Sequence, residues 1–191
     1  MPDRLAQVLA AIDAANARDP ALHVDGTPRA LLYGRRMSET LAGFAPAASD
    51  LLQIAARAQH IERWIIPRDS YPEGRVAYLT WRKALQKHHA LRAGELMRAA
   101  GYGEDDIVRA GTLLKKECLK YDADVQTLED VACLVFLKYE APEFIARHDD
   151  AKVRDILAKT AKKMSMQGLS AAGQIALESR LARLLGEALA L

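Results

Sequence analysis

The hydrophobic positions of this chain recur at a helical interval along nearly its whole length. Leu5, Val8, Leu9 and Ile12 stand three or four apart, the spacing that puts side chains on one face of an α-helix. Pro20, Gly26 and Pro28 in "ARDPALHVDGTP" end that helix, since proline removes a backbone donor and glycine loosens the chain. A second helix is predicted from about Arg29 to Phe44. In "DLLQIAARAQHIERW" the residues Leu51, Ile54, Ala55, Ala58 and Ile61 form an apolar stripe, which predicts a buried third helix with His60 near its end.

Between Ile65 and Gly74 the density of Pro, Gly, Asp and Ser breaks regular structure. The pattern resumes in "RVAYLTWRKALQKHHALRAGELMRAAG" for about seven turns, with Gly101 as the C-cap. Glu104 to Lys116 reads as another helix, opened by acidic residues that suit the helix dipole. "VQTLEDVACLVFLKYE" is apolar enough for a strand, but its length and the Thr127–Asp130 spacing, close to that of a capping box, predict a buried helix. Ala151 to Met164 and Ser170 to Leu191 give two more, with Gly168 between them. The expected fold is all-α: one compact bundle of eight or nine helices over residues 1–191, in which about 165–191 form an appended C-terminal helix.

Composition agrees with that expectation. Half of the 191 residues are hydrophobic, with alanine and leucine dominant and few β-branched runs, a balance that favours helix over strand. The 27 Lys and Arg against 25 Asp and Glu leave a formal charge of +2, so no general polyanion-binding field is expected and any basic patch is local. Cys118 and Cys133 are too few for a disulfide framework and read as thiols in a reducing cytosol. No segment reaches the roughly 18 uncharged apolar residues of a membrane span. A soluble, cytoplasmic protein with no membrane partner is therefore expected.

Candidate chemistry gathers around one junction, "AARAQHIERWIIPRDSYP". His60 lies there, and His88 and His89 are adjacent in the long fifth segment; imidazole ionises near neutral pH and commonly ligates metals. Helical neighbours point about 100° apart, so one of that pair faces the same cavity as His60. Glu129 and Asp130 in "LEDVACLVFL" set two carboxylates against an apolar helix, either as helix-start capping groups or as ligands and partners of His or Arg. His148 reads as a residue before a helix capped by Asp149 or Asp150, and His23 as incidental to a turn. Arg63, Trp64, Arg68, Trp81 and Arg82 form a cationic and aromatic set, able to grip phosphate or carboxylate in guanidinium forks while the indoles wall a pocket or pack the loop. No glycine-rich phosphate loop and no nucleophile elbow occurs.

Together "LLYGRRM", "QIAARAQHIERWIIPRDSYP", "YLTWRK" and "TLEDVACLVFLKYE" resemble the family known as domain of unknown function 4202, over roughly Leu5 to Met164. That resemblance implies kinship and brings no activity with it. A more distant likeness is to the HD superfamily of helical metal-dependent phosphohydrolases. "AARAQHI" is similar to its His-Asp helix, with Gln59 and His60 where His and Asp would stand, and "LEDVACL" is similar to the helix supplying its last Asp. Tyr33 falls near the place of the first His, and the literal His148–Asp149 pair comes too late in the chain. The likeness implies an HD-like helical fold, with any metal site rebuilt around His60, His88 or His89, and Asp130.

The function expected on these grounds is metal-dependent phosphohydrolysis of a small phosphorylated or nucleotide-like compound. His60, one of His88 and His89, and Asp130 would hold a divalent ion, with Glu129 as general base and Arg63, Arg68 and Arg82 on phosphate oxygens. The alternative is a non-catalytic module that grips a small anionic ligand, or less favourably single-stranded RNA, with the same arginines and aromatics. A third reading makes the leucine-rich face of "QIALESRLARLLGEALAL" a surface for a protein partner.

Overall fold

The computed structural model describes residues 3–189. Among them are ten α-helices and no strand, with one isolated bridge between Leu22 and Pro28. The all-α expectation holds, and the helix count exceeds the expected eight or nine. The backbone divides into two compact units, one ending at Cys118 and the other starting at Leu119, where the sequence pattern suggested a single bundle with an appended helix. No helix among the described residues is long and apolar enough to cross a membrane.

The first unit contains α1 (Arg4–Asn16), α2 (Arg29–Phe44), α3 (Asp50–Arg57), α4 (Arg75–Ala99) and α5 (Glu104–Lys115). Asp3 caps α1 and Ser49 caps α3. The start of α2 is served from a distance: Asp19, nearly buried, accepts from the amides of Ala21 and Ala30 at 2.9 Å each. Val8, Ile12, Met37, Leu41, Leu52, Ile54, Leu85, Met97, Leu113 and Leu114 make its core. The helices meet closely where glycine removes a side chain. A Cβ on Gly34 would lie 2.9 Å from the carbonyl oxygen of Arg57, and one on Gly94 would lie 2.9 Å from Ile107.

The third helix is shorter than its apolar stripe predicts. It stops at Arg57, and residues 58–62 form turns that lead into a 3-10 segment, Arg63–Ile65. No proline or glycine lies in the sequence 58–66; the break comes from a tertiary partner. Asn16, at the end of α1 and buried, accepts from the amide of Glu62 at 3.0 Å through Oδ1. That bond holds Glu62 in the left-handed region at φ 50°, a conformation that costs a non-glycine residue about 1–2 kcal/mol. His60 consequently lies in a turn, not on a helix end.

The second unit contains α6 (Ala123–Val135), a π-helical segment Phe136–Glu140, α7 (Ala141–Ile145), α8 (Asp150–Ala161), α9 (Met166–Ala172) and α10 (Ser179–Leu189). The cap of α6 is Asp122, which accepts from the amides of Asp124 and Val125, so the capping-box reading of Thr127–Asp130 is corrected. Thr127 sits inside the helix and donates back to the Ala123 carbonyl. Glu129 and Asp130 are likewise interior and buried, and the idea that they serve the helix start falls with it. Asp149 caps α8 as expected.

Gly168 lies within α9, and the chain breaks later, over residues 173–178, so the single helix expected from Ser170 onward is two. Ser165 caps α9 through its hydroxyl to the Gly168 amide. On the leucine face of α10, Leu181 and Leu184 are fully buried, α10 packs on α8, and Arg180 and Arg183 bind Asp150 at 2.7 Å.

Asp130 accepts from both the amide and the hydroxyl of Ser165, and a Cβ on Gly168 would lie 2.6 Å from its carboxyl carbon. Glycine to alanine inside a helix ordinarily stabilises by about 0.5–1 kcal/mol. Gly168→Ala is expected to do the reverse, lowering stability by about 1–3 kcal/mol through overpacking against a carboxylate that cannot retreat. Urea unfolding of the two proteins checks this, and unchanged or raised stability would contradict the tight packing described.

Candidate functional site

The turn after α3 and the middle of α4 bring three imidazoles together within the first unit. The ring of Tyr33, from α2, stacks on His60 with centroids 3.9 Å apart and planes 15° from parallel. The ring centroid of His89 lies 6.1 Å from that of His60, and His88 lies 5.9 Å from His89. Of the adjacent pair, His89 is the buried member that joins His60. His88 turns instead towards Glu62, with Nε2 4.0 Å from its carboxylate.

Glu62 organises this junction. Its carboxylate, 7% exposed, takes Arg18 at 2.9 Å and the Nε–H of Arg92 at 2.9 Å, while its amide is held by Asn16. A buried carboxylate without such partners would be costly by several kcal/mol. With them, the residue between His60 and Arg63 is anchored from α1 and α4, and its left-handed backbone sends the chain on either side in a set direction. His60 and Arg63 are thereby positioned by one clamp.

The electrostatics of the cluster are one-sided. Burial pushes the His60 imidazole well below its ordinary range, and Arg63, His89, Lys116 and Arg82 push it further the same way. His89 is lowered to about 3, first by burial and then by Arg63, His88 and Lys116. Both rings are therefore neutral near pH 7, and the full charges acting on them are positive. Glu62, the carboxylate in the same turn, is taken up by its two arginines.

The cationic and aromatic residues expected to bind ligand divide into two groups. Arg63 lies over the Trp81 ring at 4.7 Å and its charge reaches both histidines. Arg82 lies over Tyr78 at 6.0 Å and acts on His60. The others fasten the loop. Trp81 is buried and donates its indole N–H to the Ile66 carbonyl at 2.9 Å, and Arg68 donates to the carbonyls of Tyr71 and Pro72 at 2.9 and 3.0 Å. Trp64 is half-buried in the 3-10 turn.

Asp130 and Glu129 belong to the second unit. Asp130 is 2% exposed and accepts from Gln126 at 3.1 Å besides Ser165. Glu129 is buried with Lys163 Nζ 3.7 Å from Oε1. Among the described residues no three His, Cys, Asp or Glu side chains gather as a metal-holding group. Within the first unit the donors are neutral imidazoles, while the nearby carboxylate of Glu62 is engaged by arginine. That set does not by itself make up the three protein ligands of an open catalytic zinc site.

Sequence reasoning missed Asn16, Glu62 and Lys116. Glu62 stood in the quoted stretch without a signal of its role. Lys116 ends α5 in a left-handed conformation at φ 57°, far along the chain from His60, and nothing local marks it as part of the cluster.

Holding His89 buried and His60 half-buried, both in the neutral form, links stability to pH. Each binds protons less readily in the folded than in the unfolded chain, so their contribution is complete above about pH 6.5, the ordinary histidine value, and is lost as pH falls below it. For His89 the loss continues down to about 3, at a limiting slope of about 1.4 kcal/mol per pH unit for each such group. Urea midpoints are expected to fall between about pH 7.5 and about pH 5, and to fall less in His89→Phe. Equal slopes in the two proteins would contradict a neutral, buried His89.

No curated protein and no solved structure matches this chain. The family model described as "Domain of unknown function (DUF4202)" matches residues 6–185. The match takes in both units, the His60 turn and the Glu129–Asp130 helix. The chain belongs to the DUF4202 family.

Proposed function

We propose that the first unit binds a small anion of the phosphate class at the His60–His89 cluster. The observation that carries this reading is the sign of the local field: Arg63 and Lys116 act on both neutral imidazoles and Arg82 on His60, with the turn's own carboxylate already engaged. Confined positive charge over low-dielectric walls draws an anion and holds it more strongly than bulk water would. Guanidinium and ammonium groups supply charge-assisted donors, and the stacked Tyr33–His60 pair gives a firm wall. A cytoplasmic setting goes with this proposal, since Cys118 and Cys133 form no disulfide and Cys118 is exposed.

Metal-assisted hydrolysis of a phosphate ester is the second reading, favoured by one observation. Neutral imidazole is the ligating form, and His60 and His89 are both held in it. The donor set of this unit is short of a complete centre, so no hydrolytic step is derived from it.

Calorimetric titration of the full chain with inorganic phosphate tests the first reading. Binding is expected to weaken as salt rises. Each of Arg63→Ala and Lys116→Ala is expected to reduce affinity by about 10- to 100-fold, the effect of losing one charge-assisted hydrogen bond of about 1.5–3 kcal/mol. Absence of binding at millimolar phosphate, or affinity untouched by both substitutions, would overturn it.

A further inference from the structure

Helix α4 outruns the helix that packs on it. A Cβ on Gly94 would lie 2.9 Å from Ile107, and one on Gly111 would lie 3.8 Å from Ala90, so α4 and α5 run antiparallel with small residues between them. In that register Lys115, the last residue of α5, comes level with about Gln86. Residues 75–85 of α4 extend past it. Val76 stands about five turns before Gly94 on the same face, and Leu79, Lys83 and Lys87 follow at helical spacing towards Ala90. The face that receives α5 therefore continues as an open stripe, on which Val76 is 80% and Leu79 45% exposed.

The stripe is one-sided in charge. From Arg75 to Gly94 the helix has no Asp or Glu. Arg75, Lys83 and Lys87 form no ion pair among the described residues, whereas Arg18, Arg57, Arg92 and Arg98 of the same unit each hold a carboxylate. Arg75 also stands in the first turn of α4, the positive end of the helix dipole, where a cation is disfavoured and no acid offsets it. Exposed aliphatic groups and unpaired cations are what a partner of opposite charge would satisfy.

We propose that the Val76–Lys87 face of α4 docks an acidic amphipathic helix of a partner protein, in line with α5, because exposed aliphatic and unpaired cationic side chains share one helical stripe. The proposal does not depend on the anion-binding reading, and it uses neither Arg63 nor Arg82. The chemistry of the stripe separates this partner from others. A membrane surface would take the whole stripe into lipid, yet Lys83 and Lys87 lie on it in line with Leu79, where an interfacial helix keeps its face apolar. Single-stranded nucleic acid is held by stacking on exposed aromatic rings, and the stripe has none. A helix with aliphatic residues at every third or fourth position can meet Val76 and Leu79 while its flanking carboxylates reach Arg75, Lys83 and Lys87.

The test titrates the full chain into three fluorescently labelled peptides: a helix former with leucine at every third or fourth position flanked by glutamate, the same peptide with lysine for glutamate, and the acidic peptide in scrambled order. The acidic amphipathic peptide is expected to bind, and to bind less well as salt rises. Replacing Val76 and Leu79 together by serine is expected to lower its affinity about tenfold or more, the effect of no longer burying aliphatic side chains. Lys83→Glu with Lys87→Glu is expected to lower it by about as much and to bring on binding of the lysine peptide. All four side chains point away from the core, so far-UV circular dichroism of both variants is expected to match the native chain. No binding of the acidic peptide, equal binding of the lysine or scrambled peptide, or affinity untouched in both variants would overturn the proposal. Tighter binding to phosphatidylglycerol vesicles or to oligouridylate than to the acidic peptide would overturn the helical partner. If a variant does not fold, the order of the three peptides on the native chain decides.

Discussion

The candidate site depends on the way Glu62 is held. Its amide is bound by Asn16 and its carboxylate by Arg18 and Arg92, which keeps a non-glycine residue at φ 50°. Any one of these bonds nets only about 1–3 kcal/mol after competition with water, yet together they outweigh a backbone cost of similar size. They also end α3 at Arg57, although the apolar pattern continues past it. Without that break His60 would ride on a helix, and its stacking on Tyr33 and approach to His89 would require a different course for the chain. The clamp uses charge to shape the backbone, and the charges acting on the two histidines are cationic.

That arrangement weighs on the choice between metal and anion chemistry. Metal sites in proteins are commonly completed by carboxylates or thiolates, which offset the ion's charge. Around His60 and His89 the acting charges are positive, a sign that supports the proposed anion over a dication. In the second unit, Asp130 gives its oxygens to Ser165 and Gln126 and thereby joins α6 to the start of α9. Its burial is accounted for by this structural task.

The sequence was a good guide where periodicity decides structure. Helix α2 falls on Arg29–Phe44 and α4 begins at Arg75, as the apolar spacing and the Gly74 break predict. It misled where a distant polar group overrides local pattern: α3 is cut by Asn16, 46 positions from Glu62, and α6 begins at the Asp122 cap, not at Thr127. The site was legible in part. The crowded stretch after Ala55 does hold the central histidine, and His89 joins it because helical geometry lets one of the adjacent pair face inward. Lys116 and the clamp on Glu62 were not legible, since they exist only through long-range contacts that carry no periodic signal.

The most direct measurement of the central claim follows the side-chain resonances of His60 and His89 across pH, in the free chain and with phosphate added. The buried His89 should show no titration between about pH 5 and about pH 8, His60 should titrate only below the ordinary histidine range, and the resonances of both should move when phosphate is added at constant pH. Titration of either ring near its ordinary value of about 6.5 in the free chain, together with no response to phosphate, would contradict the account.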